Sequence, residues 1–152
     1  MKKFILLVTL ILLSTAIVNA EVTRKLVTNP DGSREYVFYS ENKEIARYTL
    51  DDQGNIVRTI GQIPDGVVRE YYKSGKLRGE GMFKNGKPEG IAKEYYEGGQ
   101  LKAEWSIKDN KLDGVSKQYY ENGTLRCIDT HKNGQRIKRE EYDENGNPIN
   151  RK

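Results

Sequence analysis

The chain has 152 residues, with 26 basic and 22 acidic side chains and a formal charge of +4. Acidic and basic residues alternate instead of clustering, so the patch or stripe of a nucleic-acid-binding protein is absent. One cysteine, Cys127, excludes an internal disulfide, and stability must come from packing and the backbone hydrogen-bond ladder.

Residues 1–20 have the layout of a secretory signal peptide. Lys2 and Lys3 open it, Phe4 to Leu13 is apolar apart from Thr9, and Val18-Asn19-Ala20 closes it with small residues at the cleavage positions. The apolar run falls short of the roughly 20 residues of a membrane span. The expectation is export, to the periplasm, the outer surface or the medium, with cleavage after Ala20. The mature chain, Glu21 to Lys152, would then have 132 residues, with 24 basic side chains against 22 acidic.

Residues 21–65 read as hairpins of a degenerate repeat. Asn29-Pro30-Asp31-Gly32 is a turn signal between Lys25–Thr28 and Arg34–Tyr39, and Arg47 to Ile56 repeats a turn with its flanks. From residue 66 the repeat is regular. Units 66–89, 90–113 and 114–136 begin GVVREYYKSGKL, GIAKEYYEGGQL and GVSKQYYENGTL, and a partial copy occupies 137–149, with Tyr142 and Gly146 in the matching slots.

Each unit divides into two strands. Val67 to Tyr72 is β-branched and aromatic. A turn follows at Lys73-Ser74-Gly75, Glu97-Gly98-Gly99 and Glu121-Asn122-Gly123, where glycine supplies positive φ. The second strand alternates with a period of two, which sets Leu77, Gly79, Gly81 and Phe83 on one face and Arg78, Glu80, Met82 and Lys84 on the other. Unit two repeats this with Leu101, Ala103, Trp105 and Ile107. A second turn is expected at Asn85-Gly86, Asp109-Asn110 and Asn133-Gly134. No helical stripe competes, so the fold class is all-β.

One unit cannot stand alone. Ordering each residue costs on the order of 1–2 kcal/mol, and burying a Leu or Phe returns only about 1.5–3 kcal/mol. The units must stack into an elongated, twisted antiparallel meander, each covering its neighbour. The polar stretch Asn145–Lys152 suits a C-terminal cap.

The pattern G-x-x-x-x-Y-Y-x-x-G-x-L resembles the variant form of the MORN (membrane occupation and recognition nexus) repeat. It is carried by Gly66, Tyr71, Tyr72, Gly75 and Leu77, with Lys84-Asn85-Gly86-Lys87 as its following turn. Gly90, Tyr95, Tyr96, Gly99 and Leu101, then Gly114, Tyr119, Tyr120, Gly123 and Leu125, repeat it. The resemblance implies an elongated sheet of hairpins and a scaffolding or contact role with proteins and membranes, without catalysis. Bacterial members are often labelled antitoxin-like, which conflicts with a leader peptide, because a neutraliser of a cytoplasmic toxin should stay inside.

No catalytic, cofactor-binding or metal site is expected. Cys127 shares the slot of Gly79 and Ala103, so a small packing residue is expected there, not a reactive thiol. His131 stands where Phe83 and Ile107 do, and Asp129 where Gly81 and Trp105 do, so the apolar face turns polar toward the C-terminus. Asp109 to Gly114 has a calcium-loop glycine, but Lys111 and Tyr120 occupy ligand positions. Glu70, Glu94 and Gln118 share a slot and are spread along the array.

The tyrosine pairs are the candidate interaction feature, since neighbours in a strand point to opposite faces. A three-residue turn with a bulged glycine puts Tyr71 opposite Leu77, facing the core. It leaves Tyr72, Tyr96 and Tyr120 as an exposed ladder. The leading expectation is therefore an exported, non-enzymatic scaffold that contacts a protein, an envelope component or a membrane surface, with self-association through edge strands as a further mode. The alternatives are a cell-wall or carbohydrate-binding module, since such repeats also use hairpins with paired aromatics, and an antitoxin-like component of a toxin–antitoxin pair, as the resemblance implies.

Overall fold

A computed structural model describes residues 20–149. The leader and cleavage expectation falls almost wholly outside the described residues. The described chain forms strands β1 (Val22–Thr28), β2 (Arg34–Ser40), β3 (Lys43–Leu50), β4 (Ile56–Gly61), β5 (Gly66–Tyr71), β6 (Leu77–Lys84), β7 (Lys87–Tyr95), β8 (Leu101–Lys108), β9 (Lys111–Leu112), β10 (Gly114–Tyr119), β11 (Leu125–Lys132) and β12 (Gln135–Glu141). The described residues include no helix. All strands join one open sheet in the order β12-β11-β10-β8-β7-β6-β5-β1-β2-β3-β4, with the short β9 hairpinned onto β8.

Two turn designs alternate along it. In the first, the Gly75 N–H donates to the Tyr72 carbonyl (3.0 Å) and the Tyr72 N–H to the Lys76 carbonyl (2.9 Å). The same pair of bonds recurs around Gly32, Gly54, Gly99, Gly123 and Gly146. All six glycines hold φ between 83° and 96°, which side chains resist. Residues 29–33 and 51–55 thus use the repeat's turn although little else of its sequence survives there. In the second design both central residues have positive φ, as at Asn85-Gly86, Asp109-Asn110 and Asn133-Gly134, which matches the twist of a two-residue hairpin.

The strand registers correct the simple alternation. Tyr71 pairs with Leu77, but Glu70 pairs with Gly79, so Arg78 is an extra residue in β6. Lys102 and Arg126 are extra in the same way. Such a bulge shifts the side-chain phase. Leu77 therefore accompanies Tyr71, while Gly79, Gly81 and Phe83 lie on the face of Val68 and Glu70. Leu101 and Leu125 are displaced likewise from the faces of Ala103 and Cys127.

One junction departs from the antiparallel rule. β1 runs parallel to β5, with Val22 against Val68 and Thr23 against Arg69. The sheet therefore grows in opposite directions from this seam, β1 to β4 one way and β5 to β12 the other. It also curls, so that Val22, Phe38, Ala46, Tyr48, Val68 and Phe83 meet on an inner face, with Ile63 of the crossover added to the cluster. Phe38 packs against Tyr48 at 4.9 Å and edge-on to Phe83 at 5.7 Å between centroids. The Tyr48 hydroxyl donates to the Gly86 carbonyl and ties β3 to the β6–β7 turn. At the other end, a Tyr142–Pro148 bridge and the Ile149 N–H to Glu141 carbonyl bond (2.8 Å) fold the partial copy back as a cap.

Candidate interaction surface

The tyrosine pairs split between the faces in the sense opposite to the expectation. The second tyrosine points inward and joins neighbouring units. Tyr72 donates its hydroxyl to the Tyr95 carbonyl (2.7 Å), Tyr96 to that of Tyr119 (2.7 Å), and Tyr120 to that of Tyr142 (2.9 Å). Each ring carries the cation of its own unit's bulge: Arg78 at 5.9 Å, Lys102 at 5.8 Å and Arg126 at 5.8 Å from the centroids. Two of these cations are anchored by the shared acidic slot. Glu70 accepts from Arg78 (2.8 Å) and Arg24 (3.0 Å), and Glu94 accepts from Lys102 (2.9 Å). Tyr72, Tyr96 and Tyr120 are thus half-buried ties, because Tyr72 follows Val68 and Glu70 in alternation on the core face, while the bulge in β6 moves Leu77 to the other face with Tyr71.

The first tyrosine points outward. Tyr71 is 40% exposed and donates to Glu21 at 2.5 Å, which raises the phenol pKa above its ordinary value. Tyr95 donates to Glu80 at 3.1 Å, and burial first and this carboxylate second push its phenol up. Tyr119, opposite Leu125, is half-buried.

Two rows cross the outer face of the repeats. The first is ionic and alternates in sign from strand to strand: Arg69 pairs with Glu80, Glu80 with Lys93, Lys93 with Glu104, and Glu104 with Lys117. Contacts close at 3.4 Å from Arg69 to Glu21, and at 3.5 Å from Arg69 to Glu80 and from Lys117 to Glu104. Beside it runs an apolar row of Val67, Met82, Ile91 and Val115, exposed by 37%, 44%, 52% and 46%. Sequence reasoning passed over both rows. The signal was the repeat slot itself, since Val67, Ile91 and Val115 align, as do Arg69, Lys93 and Lys117, and Glu80 and Glu104.

The inner face carries a groove of about 300 Å³. Gly79, Gly81 and Ala92 form its floor, and Tyr36, Phe83 and Trp105 stand around it. A Cβ on Gly79 would lie 3.1 Å from the Lys93 carbonyl oxygen, and one on Gly81 would lie 3.4 Å from Ala92 Cβ, so the depth of the groove depends on glycine.

Farther along, the inner face is polar. Arg139 grips the buried Asp129 with two bonds of 2.7 Å and holds its carboxyl below the usual range. Cys127 is buried opposite Gln118, and burial together with the Asp129 charge raises its thiol pKa, which suits packing. Ser116 Oγ lies 3.5 Å from His131 Nδ1, but Ser116 is 3% exposed and the neighbouring carboxylate is committed to Arg139. Among the described residues, no group of three or more His, Cys, Asp or Glu side chains could hold a metal ion.

No curated protein gives a significant match to the chain. The family model described as the MORN repeat variant matches residues 64–85, 88–109 and 112–133. These spans overlie the three hairpin units tied by Tyr72, Tyr96 and Tyr120, so the model of the MORN repeat variant matches three tandem segments of the chain.

Proposed function

We propose that this protein is an exported, non-catalytic scaffold that binds another protein or an envelope component on the outer face of its repeat sheet. MORN repeats are generally involved in protein or membrane interaction and are generally non-catalytic scaffolds. The carrying observation is the row of Val67, Met82, Ile91 and Val115 left in water on successive units. Exposed apolar side chains gathered on one face mark interaction sites; here Ser106, paired with Ile91 and donating to the Val115 carbonyl, lies between the last two. The ionic row beside it sets opposite charges against each other across the strands, so a partner that covers the row brings no like charges together. The test is photo-crosslinking from position 91 in intact cells. A discrete partner lost with Met82→Asp and Val115→Asp, but retained with Lys76→Ala in the turn, supports the proposal. No product above background from position 91 would refute it.

A second reading rests on the inner groove, where Trp105 and Tyr36 stand near Glu70 and Glu94 as an aromatic and carboxylate lining suited to a sugar. Retention of the protein on purified cell walls, abolished by Trp105→Ala and unaffected by Ile91→Asp, would favour that carbohydrate-binding reading.

A further inference from the structure

The two ends of the sheet are built differently. β12, at one end, carries Arg136, Lys138, Arg139, Glu140 and Glu141 within seven residues, and the folded-back partial copy covers its C-terminal end. Charges and cover of this kind are the usual protection of a sheet edge against further pairing. β4, at the other end, reads Ile56-Val57-Arg58-Thr59-Ile60-Gly61, with one charge and no proline, and every residue is exposed. Val57 is 63% and Ile60 49% exposed, although both suit a paired strand. Among the described residues no strand lies beyond β4, so the main-chain groups on its far side face solvent. A solvated row of N–H and C=O groups is a ready template for pairing with a further strand.

We infer that β4 is a homodimerisation edge, pairing antiparallel with β4 of a second copy of this chain about a two-fold axis at Thr59. The sequence of the strand restricts the register, and an axis at Val57 would fall on the extra residue of the β3–β4 register shift. A two-fold pairing that continues the sheet brings together residues on the same face, and therefore residues of the same parity. Centring on Arg58 would place two guanidinium groups directly opposite each other, which is unfavourable. Centring on Thr59 pairs Thr59 with Thr59 of the partner subunit and each Arg58 with Ile60 of the partner subunit. Threonine faces threonine, each cation lies beside an aliphatic side chain along which its stem can pack, and no like charges oppose. The extra residue at the β3–β4 register shift, next to Ile56, lies toward the end of this short ladder. The pairing uses neither the outer apolar row nor the inner groove, so it stands or falls independently of the function proposed above.

The test is sedimentation equilibrium of the mature protein with single-cysteine crosslinking in a Cys127→Ser background. The expected mass is twice that of the monomer at micromolar concentration. Ile60→Lys and Val57→Lys should each return it to the monomer with an unchanged far-UV spectrum. Thr59→Cys, at the two-fold axis, should oxidise to a covalent dimer at least tenfold faster than Arg58→Cys. A monomer at every concentration, a dimer indifferent to Ile60→Lys, open-ended oligomers, or equal crosslinking at both positions would each overturn the inference.

Discussion

Removing one hydroxyl tests how the units are held together. In Tyr96→Phe the ring stays over Lys102, and only the 2.7 Å bond to the Tyr119 carbonyl disappears. A half-buried neutral hydrogen bond contributes about 0.5–1.5 kcal/mol net, so the single variant should lose about 1 kcal/mol. With a urea m-value of about 1–3 kcal/mol/M, this lowers the midpoint by roughly half a molar. The corresponding bonds of Tyr72 and Tyr120 are equivalent, and ties two strands apart are roughly 9–10 Å from one another. That separation makes their effects nearly additive, and the triple Phe variant should lose about 3 kcal/mol. Tyr71→Phe is the control, since its hydroxyl meets only the exposed Glu21, and its change should stay within about 0.5 kcal/mol. Equilibrium urea unfolding followed by circular dichroism reads wild type and these three variants. A silent Tyr96→Phe beside a costly Tyr71→Phe would refute the assignment of faces.

Phe83→Ala removes the ring that joins the first repeat to Phe38, and should cost about 3–5 kcal/mol in a thermal melt, with the N-terminal strands loosening first. Gly61→Ala should cost more than about 1 kcal/mol, because φ is +77° and the new Cβ would fall 2.1 Å from the Ile45 carbonyl oxygen; a melt equal to wild type would contradict this. Asp129→Asn leaves Arg139 without its carboxylate and should cost about 1–3 kcal/mol at neutral pH. The folded carboxyl titrates below its ordinary 3.8. Its stabilisation is therefore complete above that value and lost as pH falls through the lower folded pKa. The gap between wild type and Asp129→Asn should be constant at neutral pH and close in acid, which urea midpoints against pH will show.

The turns were legible because their chemistry is local. Asn85-Gly86 and the glycine at 75, 99 and 123 are required by positive φ wherever the strands go. The acidic slot of Glu70 and Glu94 was legible as a slot, and Cys127 as a small packing residue, because tandem copies compare each position with itself. The inward and outward tyrosines were not legible. The extra residue that shifts the phase is Arg78 in one unit, Lys102 in the next and Arg126 in the third, and no side chain signals a bulge as glycine signals a turn. The parallel seam between β1 and β5 escaped for a different reason, since Val22 and Val68 are distant in sequence and their pairing leaves no periodic mark. The outer rows were visible in the slot alignment, but their neighbours across strands follow only from the register.

Amide hydrogen exchange under native conditions tests most directly whether the hairpins shelter one another through one continuous sheet. The account predicts the slowest exchange in β1 and in β5 to β8, at a common free energy equal to that of global unfolding, with faster exchange toward β12. Uniform, independent protection in each hairpin, or freely exchanging β1 amides beside protected β5 amides, would contradict it.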